Sequence, residues 1–472
     1  MTHHHSRRLA KLKSMEQISK QNRFFVRERI FYKRFFLLTA GLALQNLLAY
    51  SVNLMDNLML GAYSEEALSG AALVNQIQFF LQMLIGAVGN GVVIFGAQYW
   101  GKRETEPIKR FMSLGLFIGA VIGFCFLIVM SLVPEPILRL LTPEEPVIEQ
   151  ALSYLSVVRF TYPVFAVTMV LVATMRSVEV VRIGYMISAS TLCINTILNY
   201  FLIFGNFGFP EFGAEGAAIA TLCSRLVELG IVLLFIRFRE RILNIRWRDC
   251  FSVTTACVKD YVRVASPIII SDGLWGMAML IQSAVLGHMG QEAIAANSIA
   301  AIVFQIMSVV TYGSASAAGI MTGKAVGSGD KERVIRYTKT FQILFLGIGL
   351  FTSSMILLSK GQILNFYQVS DETKQLANQF LTVLSVTAIG TSYQMACLTG
   401  IVRSGGDTRF VLINDLIFMW GIVLPSSAAA AFLLHLPPVI VFICLKCDQI
   451  LKCFVAVVKV NRFNWMKRLT RE

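Results

Sequence analysis

Apolar residues fill this chain in long, nearly unbroken blocks separated by short polar turns. A helix needs about 20 mostly apolar residues to cross a bilayer. Twelve blocks approach or exceed that length. They cover 35–60, 67–100, 111–133, 151–175, 183–204, 214–236, 262–286, 293–321, 340–358, 376–402, 410–434 and 439–458. None alternates with the period of two that a membrane strand requires. The pattern therefore predicts an all-α integral membrane protein of twelve transmembrane helices.

The polar residues inside these blocks are the informative exceptions, because an ionisable side chain at membrane depth is costly and by default functional. In the first block Gln45, Ala49, Asn53 and Asp56 follow helical spacing and form a stripe ending in a carboxylate. Asp56 at that end can also simply reach outer water. Ser188, Asn195 and Asn199 share a face of the fifth block, and Thr221, Arg225 and Glu228 share one of the sixth. Arg225 and Glu228 are placed either to neutralise each other or to serve transport. Asp272 follows Pro267, which frees a backbone carbonyl and allows a kink. Trp275 and Met279 share the face of Asp272, and the eleventh block holds Asp415 and Trp420. In the last block Asp448 and Lys452 are spaced for an i,i+4 ion pair, which leaves Lys446 for an interface. A carboxylate in such a setting can take up a proton or a sodium ion and so change the local charge by one unit.

Composition agrees: 56% of the 472 residues are hydrophobic and only 15% charged, with a mean hydropathy of +0.65. A soluble enzyme carries about a quarter charged residues. The net charge of +14 invites a nucleic-acid reading, but its placement excludes one. Basic residues crowd the first 34 positions, every second loop, the 237–261 segment and the end of the chain. The intervening loops carry Glu65, Glu66, Glu135, Glu144, Glu145, Glu211 and Glu215. This alternation is the positive-inside signature of an even number of spans with both termini cytoplasmic. The long basic start, followed by a span-length apolar run, does not read as a cleaved secretory signal. The nine cysteines lie mostly within apolar runs and read as reduced packing residues.

The halves of the chain match at an offset of about 226 residues. "MLGAYSEEALSG" from Met59 lies over "VLGHMGQEAIAA" from Val285, and "GKRETEPIKRF" from Gly101 over "GSGDKERVIRY" from Gly327. "ILRLL" from Ile137 lies over "ILNFY" from Ile363, and "MRSVEVVR" from Met175 over "VRSGGDTR" from Val402. With six spans per half the repeat is parallel. The predicted organisation is a cytoplasmic tail (1–34), a six-helix lobe (35–236), a basic linker (237–261), a second six-helix lobe (262–458) and a tail (459–472). Two such lobes facing one cleft can rock around a midplane site. Gly115, Gly119 and Gly123 are spaced for close helix approach. "AAGIMTGKAVG" from Ala317 lacks the first glycine and the Ser/Thr of a nucleotide-binding loop, and Cys444 and Cys447 on one helix are not spaced as a metal site.

With these features assembled, the chain resembles the multidrug and toxic compound extrusion (MATE) family. The resemblance rests on "NLMDNLMLG", "GAQYWGKRE" and "INTILNYFLIFGNFGFPEFGAEGAAIAT" in the first half. "AVGSGDKERVIRY" and "GIVRSGGDTRFVLIND" carry it in the second. It implies antiport of small organic cations against H+ or Na+ by alternating access, in the bacterial inner membrane, by a monomer without cofactor, resident metal or catalytic residues. It also implies that Asp56, Asn195 and Thr221 form an N-lobe ion site. Asn199 stands where many members have aspartate. In one branch a second acidic site occupies spans 7 and 10; here Ser392 holds the span-10 position, so Asp272 and Asp415 are expected to substitute. Asn53, Trp275, Met279 and Trp420 complete the expected cleft. Two alternatives remain at this stage: a lipid-linked oligosaccharide flippase of the same superfamily, whose cleft would be basic, and a major-facilitator-type transporter, whose loop after span 2 usually carries an aspartate that "GAQYWGKRE" lacks.

Overall fold

The computed structural model describes residues 25–142, 144–246, 248–249, 255–366 and 369–471, and these form helices joined by short turns, with no strand among them. Most of the basic residues expected in the N-terminal tail, Arg7 to Arg23, lie outside the described residues. Helix α1 (Arg29–Tyr63) rises from the basic end of the bundle, α2 (Glu65–Lys102) returns, and α3 (Glu106–Leu132) rises again. The short α4 (Pro134–Leu141) caps the acidic end. The pair α5 (Glu145–Val158) and α6 (Thr161–Ser177) then descends, α7 (Arg182–Leu202) rises and α8 (Gly213–Phe238) descends.

The second half repeats this path. Helix α9 (Thr255–Gly287) rises, the pair α10 (Gln291–Met307) and α11 (Val309–Gly327) descends, and α12 (Lys331–Phe366) rises. Helices α13 (Asp371–Val402) and α14 (Thr408–Leu433) follow. The broken pair α15 (Pro438–Lys446) and α16 (Asp448–Asn461) completes the twelfth crossing.

Among the described residues, eight helices are individually long and apolar enough to span a membrane, and the bent pairs α5–α6 and α10–α11 raise this to ten. The other two crossings are α7 and α15–α16. The first is dotted with asparagines and the second carries Lys446, Asp448 and Lys452, so composition alone understates them. Several expected single spans are not straight rods. The α5–α6 pair bends by 53° and the α10–α11 pair by 42°. Helix α13 ends in a π-helical turn (Ala396–Val402), and another (Leu416–Val423) follows Asp415 in α14. Such turns arise where a local feature displaces the regular backbone ladder, often at functional sites. Pro267, by contrast, is absorbed within an uninterrupted α9.

Element boundaries carry the internal repeat. The starts of α2 and α10 (Glu65, Gln291), of α3 and α12 (Glu106, Lys331) and of α7 and α14 (Arg182, Thr408) are each separated by 225 or 226 residues. Glycine spacing works as expected at Gly123, where a Cβ would sit 2.8 Å from the Pro163 backbone, so no larger residue lets α3 approach α6 this closely.

Each lobe lends the first turns of its leading helix to the other. Phe31 and Phe35 of α1 are buried against Phe341 of α12, with ring centroids 5.2 and 5.3 Å away. Tyr261 of α9 is buried beside Phe95 and Phe111 of the first lobe, and its hydroxyl donates to the Val88 carbonyl at 2.6 Å. These contacts, together with the C-terminal segment, close the basic end. Trp465 is fully buried against Gly405 of the second lobe. A few residues on, the Leu469 amide donates to Gln98 Oε1 at 2.8 Å and Arg471 pairs with Asp260 at 2.7 Å.

Candidate functional site

Helical spacing brings one carboxylate, two amides and a hydroxyl together inside the first lobe. Asp56 lies seven residues before the end of α1, about 10 Å from that end at 1.5 Å per residue. Packing of α7 and α8 against α1 buries it to 7% exposure. Asn195 and Asn199, one turn apart on α7, are both fully buried. Asn199 Nδ2 donates to Asp56 Oδ1 at 2.5 Å and to Asn195 Oδ1 at 3.2 Å. Asn195 Nδ2 reaches Thr221 Oγ1 of α8 at 3.4 Å. Asn199 Oδ1 is buried without a hydrogen-bond partner, which leaves a free acceptor beside the carboxylate. Arg225, one turn beyond Thr221, is engaged elsewhere. Its guanidinium donates to Glu228 Oε2 at 2.8 Å and lies 5.0 Å from the Phe165 ring centroid. The Arg225–Glu228 pair is thus a neutralised neighbour of the Asp56 cluster.

Residue patterns missed part of this site. Tyr154 of α5 is fully buried, with its hydroxyl beside Thr221 and Asp56. Thr191, one turn before Asn195, is buried and extends the asparagine face, whereas Ser188, the expected member, is half-buried. The Asn195 and Asn199 spacing could have pointed to Thr191 by a further step of four. Nothing in the pattern pointed to Tyr154. Asn53, expected on the Asp56 stripe, is exposed, because the buried face of α1 runs through Val52, Asp56 and Leu60.

The second lobe differs from the expectation of free acidic groups. Asp272 is paired with Arg403, which donates to Oδ1 at 3.0 Å. Asp415 accepts from Ser271 Oγ at 2.8 Å and from Lys452 Nζ at 3.0 Å. The same Lys452 reaches Asp448 at 3.3 Å, so the expected i,i+4 pair forms but is shared. Arg403 and Lys452 are 7% and 5% exposed, so each acid is held by a buried cation, while the Asp272 and Asp415 side chains stay 21% and 27% exposed. Arg403 had the sequence signature of a loop charge, yet its long side chain folds back into the bundle. Its repeat counterpart Arg176 does the same toward Asn90 at 3.5 Å.

The remaining candidates fall apart from one another. Trp275 is 37% exposed, while Met279 and Trp420 pack on the apolar core of the second lobe. Lys446 is half-buried with its ammonium 5.6 Å from the Phe442 ring centroid. Ser392 shares a 2.8 Å hydrogen bond with Thr311.

Comparison with known proteins resolves what this architecture is. The MatE family model matches residues 42–201 and 267–429, one stretch in each lobe. The chain belongs to the MATE family of efflux transporters. It is therefore a multi-pass membrane carrier rather than an enzyme, and the major-facilitator alternative falls away. Among its curated relatives is the "Probable multidrug resistance protein NorM" of Thermotoga maritima. That protein is 25% identical over 433 residues, covering 91% of this chain and 92% of the relative. A protein of the same name from Bacillus cereus is 27% identical over 399 residues, covering 83% and 87%. Among solved structures, a MATE protein in the bent conformation superposes with a TM-score of 0.83 at 19% identity, covering 91% of this chain and 95% of that one. The twelve-helix, two-lobe arrangement is thus the MATE fold.

Proposed function

We propose that this MATE transporter is a secondary active antiporter that exports amphipathic organic cations in exchange for protons or sodium ions. We place it in the bacterial inner membrane with both termini cytoplasmic, so the closed basic end faces the cytoplasm. One observation carries the reading. Among the described residues, Asp56 is the buried carboxylate of the membrane helices that accepts from a neutral amide and makes no ion pair. Glu228, Asp272, Asp415 and Asp448 each contact a cation. A charge left bare in that way gains most from neutralisation by a proton or sodium ion. The free Asn199 acceptor, Thr221 and Asn195 supply further oxygen atoms for a hard cation. The same carboxylate attracts a cationic substrate, so ion and cargo compete for one charge, and competition for one site is what makes exchange obligatory. The names of the NorM relatives support multidrug efflux as the physiological role.

The test uses inside-out vesicles with proton and sodium gradients imposed separately. Uptake of a fluorescent organic cation is expected with at least one gradient and to disappear in Asp56→Asn at equal protein level. Uptake by that variant matching the parent would remove Asp56 from the coupling role.

A further inference from the structure

At the closed basic end a cavity of about 390 Å³ lies between the lobes, away from the Asp56 cluster and lined by residues of both. Arg34 and Arg103 come from the first lobe, Lys324 and Arg333 from the second. A single acid, Glu179, faces these four cations. It is engaged by Lys324 at 2.9 Å, with Arg34 at 3.7 Å. Arg103 has no ion-pair partner among the described residues, and Arg333 holds only the exposed Asp330 at 3.2 Å. The wall also contains Trp100, whose indole N–H is buried without an acceptor. Unmatched positive charge from both lobes on one concave surface calls for an oxyanion.

We propose that this crevice binds a phosphate-bearing anion that bridges the two lobes. Guanidinium groups match phosphate oxygens in planar, forked geometry, and Lys324, 5.4 Å from the Trp100 ring centroid, adds a point charge. Basic pockets between helices at a cytoplasmic membrane face suit anionic lipid headgroups. The neighbouring surface fits an acyl chain: Ile30 and Leu37 share Arg34's side of α1 and are 70% and 60% exposed. Because cations of both lobes contribute, the bound anion favours the state closed at this end, and opening the end takes the site apart.

The test uses the full chain, delipidated and placed in phosphatidylcholine nanodiscs with rising phosphatidylglycerol; the lipid retained on extraction is counted by mass spectrometry. Inorganic phosphate is titrated separately by tryptophan fluorescence. Saturable retention of phosphatidylglycerol is expected. It should weaken about tenfold or more in the Arg103→Gln, Arg333→Gln double variant. Both arginines are solvent-exposed, so the double variant should fold. Arg110→Gln with Arg182→Gln removes the same charge from exposed positions outside the cavity and should retain the lipid. Displacement of the lipid by millimolar phosphate, with a fluorescence change lost in Trp100→Phe, would identify a free oxyanion as the ligand; retention against phosphate would identify the headgroup. The proposal is overturned if neither ligand binds saturably, or if the control pair loses as much lipid as the cavity pair.

Discussion

The two lobes share one fold and one repeat, yet they surround their intramembrane aspartates differently. In the first lobe Asp56 accepts from Asn199, which is linked through Asn195 to Thr221, all neutral, and the nearby Arg225 is held by Glu228. In the second lobe Arg403 and Lys452 reach Asp272 and Asp415 directly. A buried ion pair resists further binding of ions because its charge is already matched; a carboxylate among amides does not. Under the antiport proposed above, the contrast assigns exchange to the first lobe and ion-pair stiffness to the second, although both were built from the same repeat.

The strongest way to break this comparison is Asp56→Asn. Efflux of organic cations should fall to the level of cells lacking the transporter, with membrane abundance unchanged on immunoblot. Asp272→Asn should instead leave measurable efflux and act first on stability.

Next in size is the pair in the second lobe. Removing one partner of a buried ion pair is far costlier than replacing both, because the survivor is left buried and unmatched. Arg403→Leu is expected to destabilise the protein by about 3 kcal/mol, and Asp272→Leu combined with it should recover much of that loss. Thermal unfolding in detergent measures both. An equal loss in the single and double variants would mean that the ion pair is not the element that matters.

A smaller effect is expected where the lobes meet. Gly327 packs onto the Gln98 backbone, with no room for a Cβ. Gly327→Ala should loosen the closed end, slow efflux partially and raise labelling of a cysteine placed at Ser328.

The smallest effect concerns pH. Asp407 lies in the turn between α13 and α14. Partial burial pushes its carboxyl up, but Lys459 and Lys467, each at 2.7 Å, outweigh this and hold it below the usual carboxylate range. A depressed pKa stabilises the fold above the unfolded value of about 4, and that contribution is lost as pH falls through the folded value. Asp407→Asn should therefore lower the melting temperature at neutral pH and flatten its decline in acid. An unchanged acid limb would show that other groups set it.

Much of the architecture was legible from hydrophobic block length and charge alternation, because both are imposed by the bilayer on local sequence. The repeat was legible for a related reason: corners and caps such as Ser64 and Gly290 sit at equivalent positions, and corners depend on few residues. The Asp56, Asn195, Asn199 and Thr221 set was also readable, since helical spacing and family resemblance converge on it. The fate of Asp272 and Asp415 was not. Arg403 and Lys452 are 131 and 37 residues away along the chain, and periodicity on one helix cannot say which cation on another helix will arrive. Asn53 failed for a subtler reason: it lies beside Val52, and one step around a helix is about 100°, enough to leave the buried face.

By itself the sequence determined the number of crossings, the duplication, the charge asymmetry between the ends and the polar residues that gather around Asp56. These follow from the cost of polar groups in hydrocarbon and from helical period, which are properties of neighbours in the chain. Tertiary structure alone decided which carboxylate stays free of a cation, where spans bend, and which end of the bundle is closed. Those outcomes depend on how long basic side chains and bulky aromatic groups from distant helices compete for the same interior space.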